Sequence, residues 1–285
     1  MNQKYIKLEK DNKDMKSKIS ELQSLIQKNE SNQNSQDIQS QKKVALIKTL
    51  IEAGMDKNTK ICNKYTEGNK RLLTELIIEG YITSEKVTNV MLEVDRQDFA
   101  PRNYYANRPQ YLGYNVTISA PHMHAFALEY LSNYCVKGAK ILDVGSGSGY
   151  LTVALSKMTN DTGTVIGIEH IHELYELWLK NVKKKHSELI DNKKIIFVEG
   201  DGRKGCKEYG PYKAIHVGAA SEQVPMALID QLDYNGRIFI PVGKKGETQE
   251  IYLVDKDFMG KVTYRSILSV CYGMLTDIAT QLQNE

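Results

Sequence analysis

The segment Lys140-Ile-Leu-Asp-Val-Gly-Ser-Gly-Ser-Gly-Tyr150 decides the fold of this chain of 285 residues. Its first half is an apolar run typical of a buried parallel strand, and the helical pattern Tyr150-Leu-Thr-Val-Ala-Leu-Ser156 follows the last glycine. Gly145, Gly147 and Gly149 allow a tight turn and a close approach of the backbone to a ligand. The segment therefore predicts a strand, a glycine loop and a helix that together bind a nucleotide-type cofactor.

The spacing of these glycines distinguishes between cofactors. Dinucleotide-binding loops follow G-x-G-x-x-G and hold a pyrophosphate at the helix N-terminus, whereas this loop is G-x-G-x-G with Asp143 just before it. The loop contains no lysine or arginine for a phosphate, and a nearby acid suits the ammonium and sulfonium groups of S-adenosylmethionine. We therefore predict that Asp143, Gly145 and Gly147 bind S-adenosylmethionine, with S-adenosylhomocysteine as product. A dinucleotide enzyme and a glycine turn that serves only packing are the alternatives.

Two later strand patterns each lead to an acid. The run Thr164-Val-Ile-Gly-Ile-Glu169 ends roughly twenty residues beyond the glycine loop, where a carboxylate can accept both ribose hydroxyls. After Ile195-Ile-Phe-Val198, Asp201 and Gly202 can pair with the adenine amino group and ring nitrogen. The alternatives are a solvated acid at the first position and an ordinary Asp-Gly turn at the second. Three strand ends that converge on one ligand favour the cofactor interpretation.

The remaining pattern predicts the architecture. Helices and strands alternate after the glycine loop, with helices at 171–186 and 222–232 and strands at 194–198, 213–217 and 237–242. This alternation favours an α/β fold with a doubly wound, mostly parallel sheet of the S-adenosylmethionine-dependent, class I, Rossmann-like methyltransferase type. The segments 249–255 and 261–275 have little helical pattern between them and predict an antiparallel edge hairpin. Ahead of the loop, we expect a helix at 72–79 that ends at Gly80, and another at roughly 84–94.

Composition sets the domain organisation. With 41% hydrophobic residues, the chain can bury one substantial core and carry an additional segment. We predict a polar N-terminal extension over residues 1–65 and a methyltransferase domain over 66–285. Within the extension, Lys43-Val-Ala-Leu-Ile-Lys-Thr-Leu-Ile-Glu-Ala53 predicts one amphipathic helix that stops at Gly54. Because the extension carries no motif, we expect its removal to leave activity nearly intact.

Charge and cysteine usage constrain partners and location. The net charge of +3 gives no electrostatic reason to expect nucleic acid or membrane as a partner. No apolar run approaches the roughly eighteen residues of a membrane span, and the first ten residues lack the apolar region of a secretion signal. The four cysteines are far apart and form no C-x-x-C pair, so reduced thiols are expected. We expect a cytoplasmic monomer.

Five segments carry a resemblance to a known family. They are Thr117-Ile-Ser-Ala-Pro-His-Met-His124, Leu142-Asp-Val-Gly-Ser-Gly-Ser-Gly149, Gly200-Asp-Gly-Arg203, Ala214-Ile-His-Val-Gly-Ala219 and Ala227-Leu-Ile-Asp-Gln-Leu232. In these segments the chain resembles the protein-L-isoaspartate O-methyltransferases, which are protein repair enzymes, over about residues 70 to 278. The segment around Ser119 is the most specific, because most methyltransferases of this type share the glycine loop. The chain departs from the family in its N-terminal extension and in Tyr150.

The resemblance implies methyl transfer from S-adenosylmethionine to the free α-carboxylate of L-isoaspartyl residues in damaged proteins. The ester then closes to a succinimide, which hydrolyses in part to normal aspartate. An acceptor with a pKa of about 4 is already ionised at neutral pH, so the site mainly aligns the reacting atoms. Ser119 matches the family's catalytic serine and would orient the acceptor carboxylate. The cofactor contacts implied by the match are Val116, Thr117, Ile118, Ser119, His124, Ser148, Glu169, Asp201, Gly202 and Thr276.

Other interpretations of these residues stay open at this point. From local sequence alone, Ser119 before Pro121 is typical of a helix N-cap. His122 and His124 form an H-x-H pair without a third convincing ligand, so we predict no metal. A nucleic-acid amino-methyltransferase would have an Asn/Asp-Pro-Pro-aromatic motif where this chain has His216-Val-Gly-Ala-Ala220, which counts against base methylation. A non-catalytic adapter on the same fold is the remaining alternative.

Overall fold

The computed structural model describes Ser17, Ser20, residues 35–52 and residues 65–283. Contacts divide the chain into two compact units, Met1–Leu92 and Glu93–Glu285. This division lies at a different place from the boundary predicted between residues 65 and 66, which stays a prediction.

The first unit is helical. It contains α1 (Ser35–Glu52) and α2 (Glu67–Glu79), and α3 (Glu85–Glu93) runs to its end. The Thr66 side chain accepts a hydrogen bond from the Asn69 N–H at 3.3 Å, and Gly80 ends α2 with a left-handed φ of 85°. These bounds confirm the helices predicted at 43–53, 72–79 and 84–94. Gly54, where we predicted the first helix to stop, lies outside the described residues.

Packing between α1 and α2 gives the first unit its apolar interior. Leu46, Ile47 and Leu50 of α1 are buried, and so are four apolar side chains of α2. The two helices are in contact, and Lys43 Nζ of α1 donates to the carbonyl of Ile78 at 2.8 Å. The predicted amphipathic helix is therefore a packed element of this unit.

The second unit contains two sheets. The smaller sheet pairs β1 (Gln110–Gly113) with β2 (Val116–Ile118) in antiparallel fashion. The larger sheet consists of β3 (Lys140–Val144), β4 (Thr164–Glu169), β5 (Ile195–Glu199), β6 (Tyr212–Val217), β7 (Leu232–Val242), β8 (Gln249–Lys256) and β9 (Val262–Val270). Its strand order is β5-β4-β3-β6-β7-β8-β9, with parallel pairs from β5 to β7 and antiparallel pairs from β7 to β9. The predicted parallel sheet with an antiparallel edge hairpin is confirmed.

Helices alternate with the parallel strands. They are α4 (Pro121–Leu131), α5 (Tyr150–Met158), α6 (His172–Lys183), α7 (Ser187–Asp191) and α8 (Met226–Gln231). A further helix, α9 (Ile278–Leu282), follows the antiparallel strand β9. The chain builds β4 and β5 on one side of β3 and then returns to place β6 on its other side. The strand order therefore reverses at the carboxyl end of β3, where ligands bind in sheets of this kind. Buried side chains such as Leu142, Ile166 and Ile215 form the core around this strand.

Two parts of the second unit differ from the sequence prediction. Helix α8 is shorter than the predicted 222–232, because Pro225 disfavours helical conformation in the residue before it, and β7 begins at Leu232 instead of 237. The sheet of β1 and β2 was not predicted. Its turn holds Tyr114 and Asn115, both with φ of 55°, without the Asn-Gly signal that usually marks such a hairpin. Among the described residues, no helix is both long and apolar enough to cross a membrane.

Candidate active site

The glycine loop leaves β3 in a left-handed backbone conformation. Gly145, Gly147 and Gly149 have φ of 74°, 49° and 86°. A Cβ on Gly147 would lie 3.8 Å from side-chain atoms of both Leu112 and Val116, which is ordinary contact. The loop therefore adjoins the sheet of β1 and β2.

Gly149 serves a different purpose from Gly147. A Cβ on Gly149 would lie 2.7 Å from Cδ1 of Trp178, a side chain that is 1% exposed. No side chain fits at that distance, so packing against α6 requires glycine here. The expectation that Gly149 also allows a ligand to approach stays a prediction.

Glu169, the predicted ribose-binding acid, lies next to the glycine loop. Its Oε2 accepts a hydrogen bond from the Gly147 N–H at 3.2 Å, and its Oε1 accepts one from the His170 N–H at 2.8 Å. The side chain is buried at the end of β4. Burial raises the pKa of this carboxyl, while the charge of His170 and the backbone N–H groups act in the opposite direction.

Asp201 and Gly202 follow β5 and lie near the end of β3. Asp201 binds the Arg203 guanidinium through both oxygens, at 2.9 and 2.8 Å, and this hydrogen bonding lowers the pKa of Asp201. A Cβ on Gly202 would lie 2.5 Å from Cγ1 of Val144, so only glycine allows this approach. Thr276 is half-buried and directly precedes Asp277, which lies 3.9 Å from Arg203.

Asp143 and Ser148 are buried beneath the loop. Asp143 is 1% exposed, and its oxygens lie 2.6 Å from the Thr152 hydroxyl and 2.8 Å from Nδ1 of His216. This carboxylate thereby connects β3 to α5 and to β6. Its geometry favours a role in holding the loop in place, and our prediction of direct cofactor contact by Asp143 has no support from these bonds. Ser148 is likewise buried, and its carbonyl accepts a hydrogen bond from Asn181.

Ser119 lies between β2 and α4 and is half-buried. The Tyr272 hydroxyl lies near the Ser119 side chain, and burial raises the pKa of Tyr272 to about 12. Ala120 is the N-cap of α4 and no side chain caps that helix, so the N-cap interpretation of Ser119 is wrong. Val116, Thr117 and Ile118 form β2, with Ile118 buried and Thr117 exposed. The predicted acceptor segment therefore continues directly from the strand that borders the glycine loop.

His124 lies in the first turn of α4. Its ring stacks on Tyr150 with 4.6 Å between the centroids, so Tyr150 packs inside the protein. The pKa of His124 lies well below its usual value because the ring is buried and because Arg96, His216 and His122 add positive potential. His124 is therefore a neutral imidazole at physiological pH.

Two residues that contact Ser119 were missed by sequence reasoning. Tyr272 is held by Gln249, whose Oε1 accepts the Tyr272 N–H at 2.6 Å, and Arg96 donates from Nη2 to the carbonyl of Ser119 at 2.8 Å. Neither lies in a recognisable motif, so no local signal could have identified them.

In the described ranges, no group of three or more His, Cys, Asp or Glu side chains could hold a metal ion. His122 instead bonds through Nδ1 to Asn107.

The fold and the site define a class of protein. A mostly parallel seven-stranded sheet with an antiparallel end, a glycine loop after β3 and an acid at the end of β4 characterise the class I, Rossmann-like, S-adenosylmethionine-dependent methyltransferases.

Comparison with known proteins narrows this class. The family model for protein-L-isoaspartate(D-aspartate) O-methyltransferase matches residues 66–280. A Caenorhabditis elegans protein-L-isoaspartate O-methyltransferase is 50% identical over 208 residues, which are 73% of this chain and 92% of that protein. Protein-L-isoaspartate O-methyltransferase 1 of Arabidopsis thaliana is 42% identical over 220 residues, which cover 76% of this chain and 95% of that protein. The chain therefore belongs to the protein-L-isoaspartate O-methyltransferase family.

A solved structure agrees with this assignment. It is described as a Plasmodium falciparum protein-L-isoaspartate O-methyltransferase in complex with S-adenosyl-L-homocysteine. The two structures superpose with a TM-score of 0.69 at 34% identity, over 74% of this chain and 99% of that one.

Proposed function

We propose that this protein transfers a methyl group from S-adenosylmethionine to the α-carboxylate of L-isoaspartyl residues in damaged proteins. One observation carries the proposal: Val116 borders Gly147, and the strand that contains Val116 leads directly to Ser119. The predicted cofactor loop thus borders the strand that leads to the predicted acceptor residue, in a chain that belongs to the repair methyltransferase family.

The residues around the loop suit S-adenosylmethionine. A Cβ placed on Gly147 would lie at ordinary contact distance from the neighbouring side chains. The buried Glu169 carboxylate accepts a hydrogen bond from the N–H of the same glycine. Glu169 would hold the ribose, Asp201 and Gly202 the adenine, and the neutral His124 and residues of β2 the remainder of the molecule. When bound, S-adenosylmethionine supplies a methyl group activated by a sulfonium. Gly145, Ser148 and Thr276 complete the proposed binding residues, while Asp143 supports the loop from below.

Ser119 would orient the acceptor by hydrogen-bonding its carboxylate. Because that carboxylate is already ionised at neutral pH, the protein needs no general base for the transfer. The contribution of the site is alignment of the attacking oxygen with the methyl group and the leaving sulfur. The contact between Tyr272 and Ser119 restricts the serine side chain and therefore supports this alignment.

A pair of peptides tests the proposal directly. The purified protein is incubated with radiolabelled S-adenosylmethionine and peptides that differ only in L-isoaspartate versus L-aspartate, and base-labile methyl ester is counted. We expect label on the isoaspartyl peptide alone. Label on neither peptide, with S-adenosylhomocysteine still bound, would support another acceptor or the adapter interpretation.

Cellular context and assembly are proposals as well. We propose that the partners are damaged proteins and peptides with L-isoaspartyl residues, and that the protein acts in the cytoplasm as a monomer. The separated cysteines, which form no C-x-x-C pair, suit a reducing compartment. Light scattering of the purified chain measures the mass in solution, and a dimer mass would contradict the monomer proposal.

A further inference from the structure

Arg96 is a buried cation next to two residues of the proposed site. It is 1% exposed and begins the short turn Arg96–Asp98 in the second unit. Burial lowers the pKa of this guanidinium to about 10, so it still carries its charge at neutral pH. Burying a charge costs folding free energy unless hydrogen bonds or a counter-charge compensate, so the partners of Arg96 indicate why the charge is there.

The two acids beside Arg96 in sequence have other partners. Asp95 accepts hydrogen bonds from the Gln97 N–H at 3.0 Å and from the Tyr105 hydroxyl at 3.0 Å, and Asp98 pairs with Lys185 at 2.9 Å. Within the part of the chain that the structure describes, Arg96 forms no ion pair with a carboxylate, and its Nε has no hydrogen-bond partner. The contacts of Arg96 are instead directed at the site.

Both contacts of Arg96 fix atoms of the proposed site. Nη2 donates to the carbonyl oxygen of Ser119 at 2.8 Å, and Nη1 lies 3.3 Å from Nδ1 of His124. A guanidinium can only donate, so Nδ1 of His124 must accept, and the proton of the neutral ring lies on Nε2. One side chain therefore sets both the backbone position of Ser119 and the tautomer of His124.

We propose that Arg96 is a positioning residue for methyl transfer, which holds the Ser119 backbone and keeps His124 in the tautomer that donates from Nε2. This inference rests on the proposed function. Direct binding of the acceptor by Arg96 is disfavoured by its burial behind the Ser119 carbonyl. It is also disfavoured by electrostatics, because the carboxylate loses charge during transfer and a direct cation contact would stabilise the bound substrate more than the transition state.

Kinetics of full-length variants test the positioning role. With Arg96→Met we expect kcat for an isoaspartyl peptide to fall about tenfold or more, equivalent to about 1.4 kcal/mol, with the peptide KM changed less than about threefold. Arg96→Lys keeps the charge but lacks the planar fork that reaches both partners, so we expect an intermediate kcat.

Arg237→Met is the matched control. Arg237 also donates to a backbone carbonyl, that of Tyr130 at 3.2 Å, and pairs with Asp255 at 2.6 Å in the same unit. This variant loses a half-buried guanidinium that does not touch the site, so we expect a lower Tm with unchanged kcat. A rise in peptide KM without loss of kcat in Arg96→Met would assign substrate binding to Arg96 and overturn the proposal. An equal kcat loss in both variants would show a general effect of instability.

The tautomer of His124 provides a readout that does not depend on catalysis. Nitrogen NMR of histidine-labelled protein distinguishes the two ring nitrogens, and a His124→Asn variant assigns its signals among the six histidines. We expect unprotonated Nδ1 and protonated Nε2 in the wild type and a tautomer mixture in Arg96→Met. Protonated Nδ1 in the wild type would refute the inference even if Arg96→Met failed to fold. If His124 has the expected tautomer but the protein methylates no isoaspartyl peptide, the proposed function is refuted and the contact between Arg96 and His124 stands.

Discussion

Individual side chains of the site divide into groups that would touch the reactants and groups that hold those groups in place. Ser119 is half-buried at the end of β2, whereas its partner Tyr272 is anchored to the buried Gln249. Asp143 similarly bonds Thr152 and His216 from beneath the loop. Since methyl transfer to an ionised carboxylate depends on alignment, we expect these supporting contacts to contribute to the rate.

Ser119→Ala tests the role of the hydroxyl. We expect kcat for the isoaspartyl peptide to fall about tenfold to a hundredfold, because a hydrogen bond to a charged group contributes about 1.5–3 kcal/mol. The affinity for S-adenosylhomocysteine, measured by calorimetry, should change much less. Tyr272→Phe keeps the serine and removes its partner, so a smaller loss of kcat is expected. Near-equal losses of kcat and affinity in Ser119→Ala would contradict the orienting role.

We expect Glu169 to make cofactor binding depend on pH. The charged carboxylate is the form that accepts ribose hydroxyls, and burial raises its pKa above the ordinary value despite His170 and the backbone N–H groups. Affinity for S-adenosylhomocysteine should therefore be full at neutral pH and decline as pH falls through this raised pKa. Calorimetry over a pH series should show affinity beginning to decline at a pH above the pKa of an ordinary glutamate. The Glu169→Gln variant should bind S-adenosylhomocysteine more weakly and should not show this decline. A midpoint at or below the ordinary glutamate value would refute the assignment.

The glycine loop combines two structural demands, ligand approach and packing, that the sequence pattern alone does not separate. Gly147 faces β2 with room for a Cβ, whereas Gly149 contacts the buried ring of Trp178. Both have positive φ, so alanine at either position costs about 1–2 kcal/mol of backbone strain. Only alanine at position 149 would also overlap a packed side chain, that of Trp178.

Alanine at each of the two glycines distinguishes these demands. Gly149→Ala should lower the free energy of unfolding by about 3 kcal/mol or more, because strain and overpacking add. Gly147→Ala should cost only the strain but should weaken S-adenosylhomocysteine binding, and Gly147→Val should abolish it. Denaturant unfolding and calorimetry on the same samples provide both quantities. Unchanged cofactor affinity in Gly147→Val would remove this residue from the site.

Elements that carry their own signals were predictable from the sequence. Helix α2 has its N-cap Thr66 and its terminating Gly80 in the local sequence, and β3 is an apolar run next to its glycine loop. The sheet of β1 and β2 was missed because its strands are short and its turn lacks glycine at the central positions. Arg96 and Tyr272 were missed because tertiary packing alone brings them to Ser119.

The N-terminal region of the chain contains a helix that packs within the first unit. The sequence predicted that residues 1–65 are dispensable for activity. The family match begins at residue 66, yet α1 buries Leu46, Ile47 and Leu50 and contacts α2 inside the first unit. Catalytic function and folding stability therefore place different demands on this region.

Two truncations separate these demands. Removal of residues 1–34 leaves α1 and α2 intact, so we expect unchanged Tm and unchanged kcat. Removal of residues 1–64 deletes α1 and exposes the apolar side chains of α2 that α1 covers. Each buried aliphatic side chain that is lost should lower the free energy of unfolding by about 2 kcal/mol. We expect this variant to have a lower Tm and a lower yield of folded protein. Its kcat per folded molecule should stay near that of the full chain, because Arg96 and every residue proposed to bind cofactor or acceptor lie beyond the deleted segment. Ile47→Ala in the full chain is the matched point variant, with an expected loss of about 2–5 kcal/mol. A large fall in kcat with an unchanged Tm would show instead that the N-terminal region acts on catalysis directly.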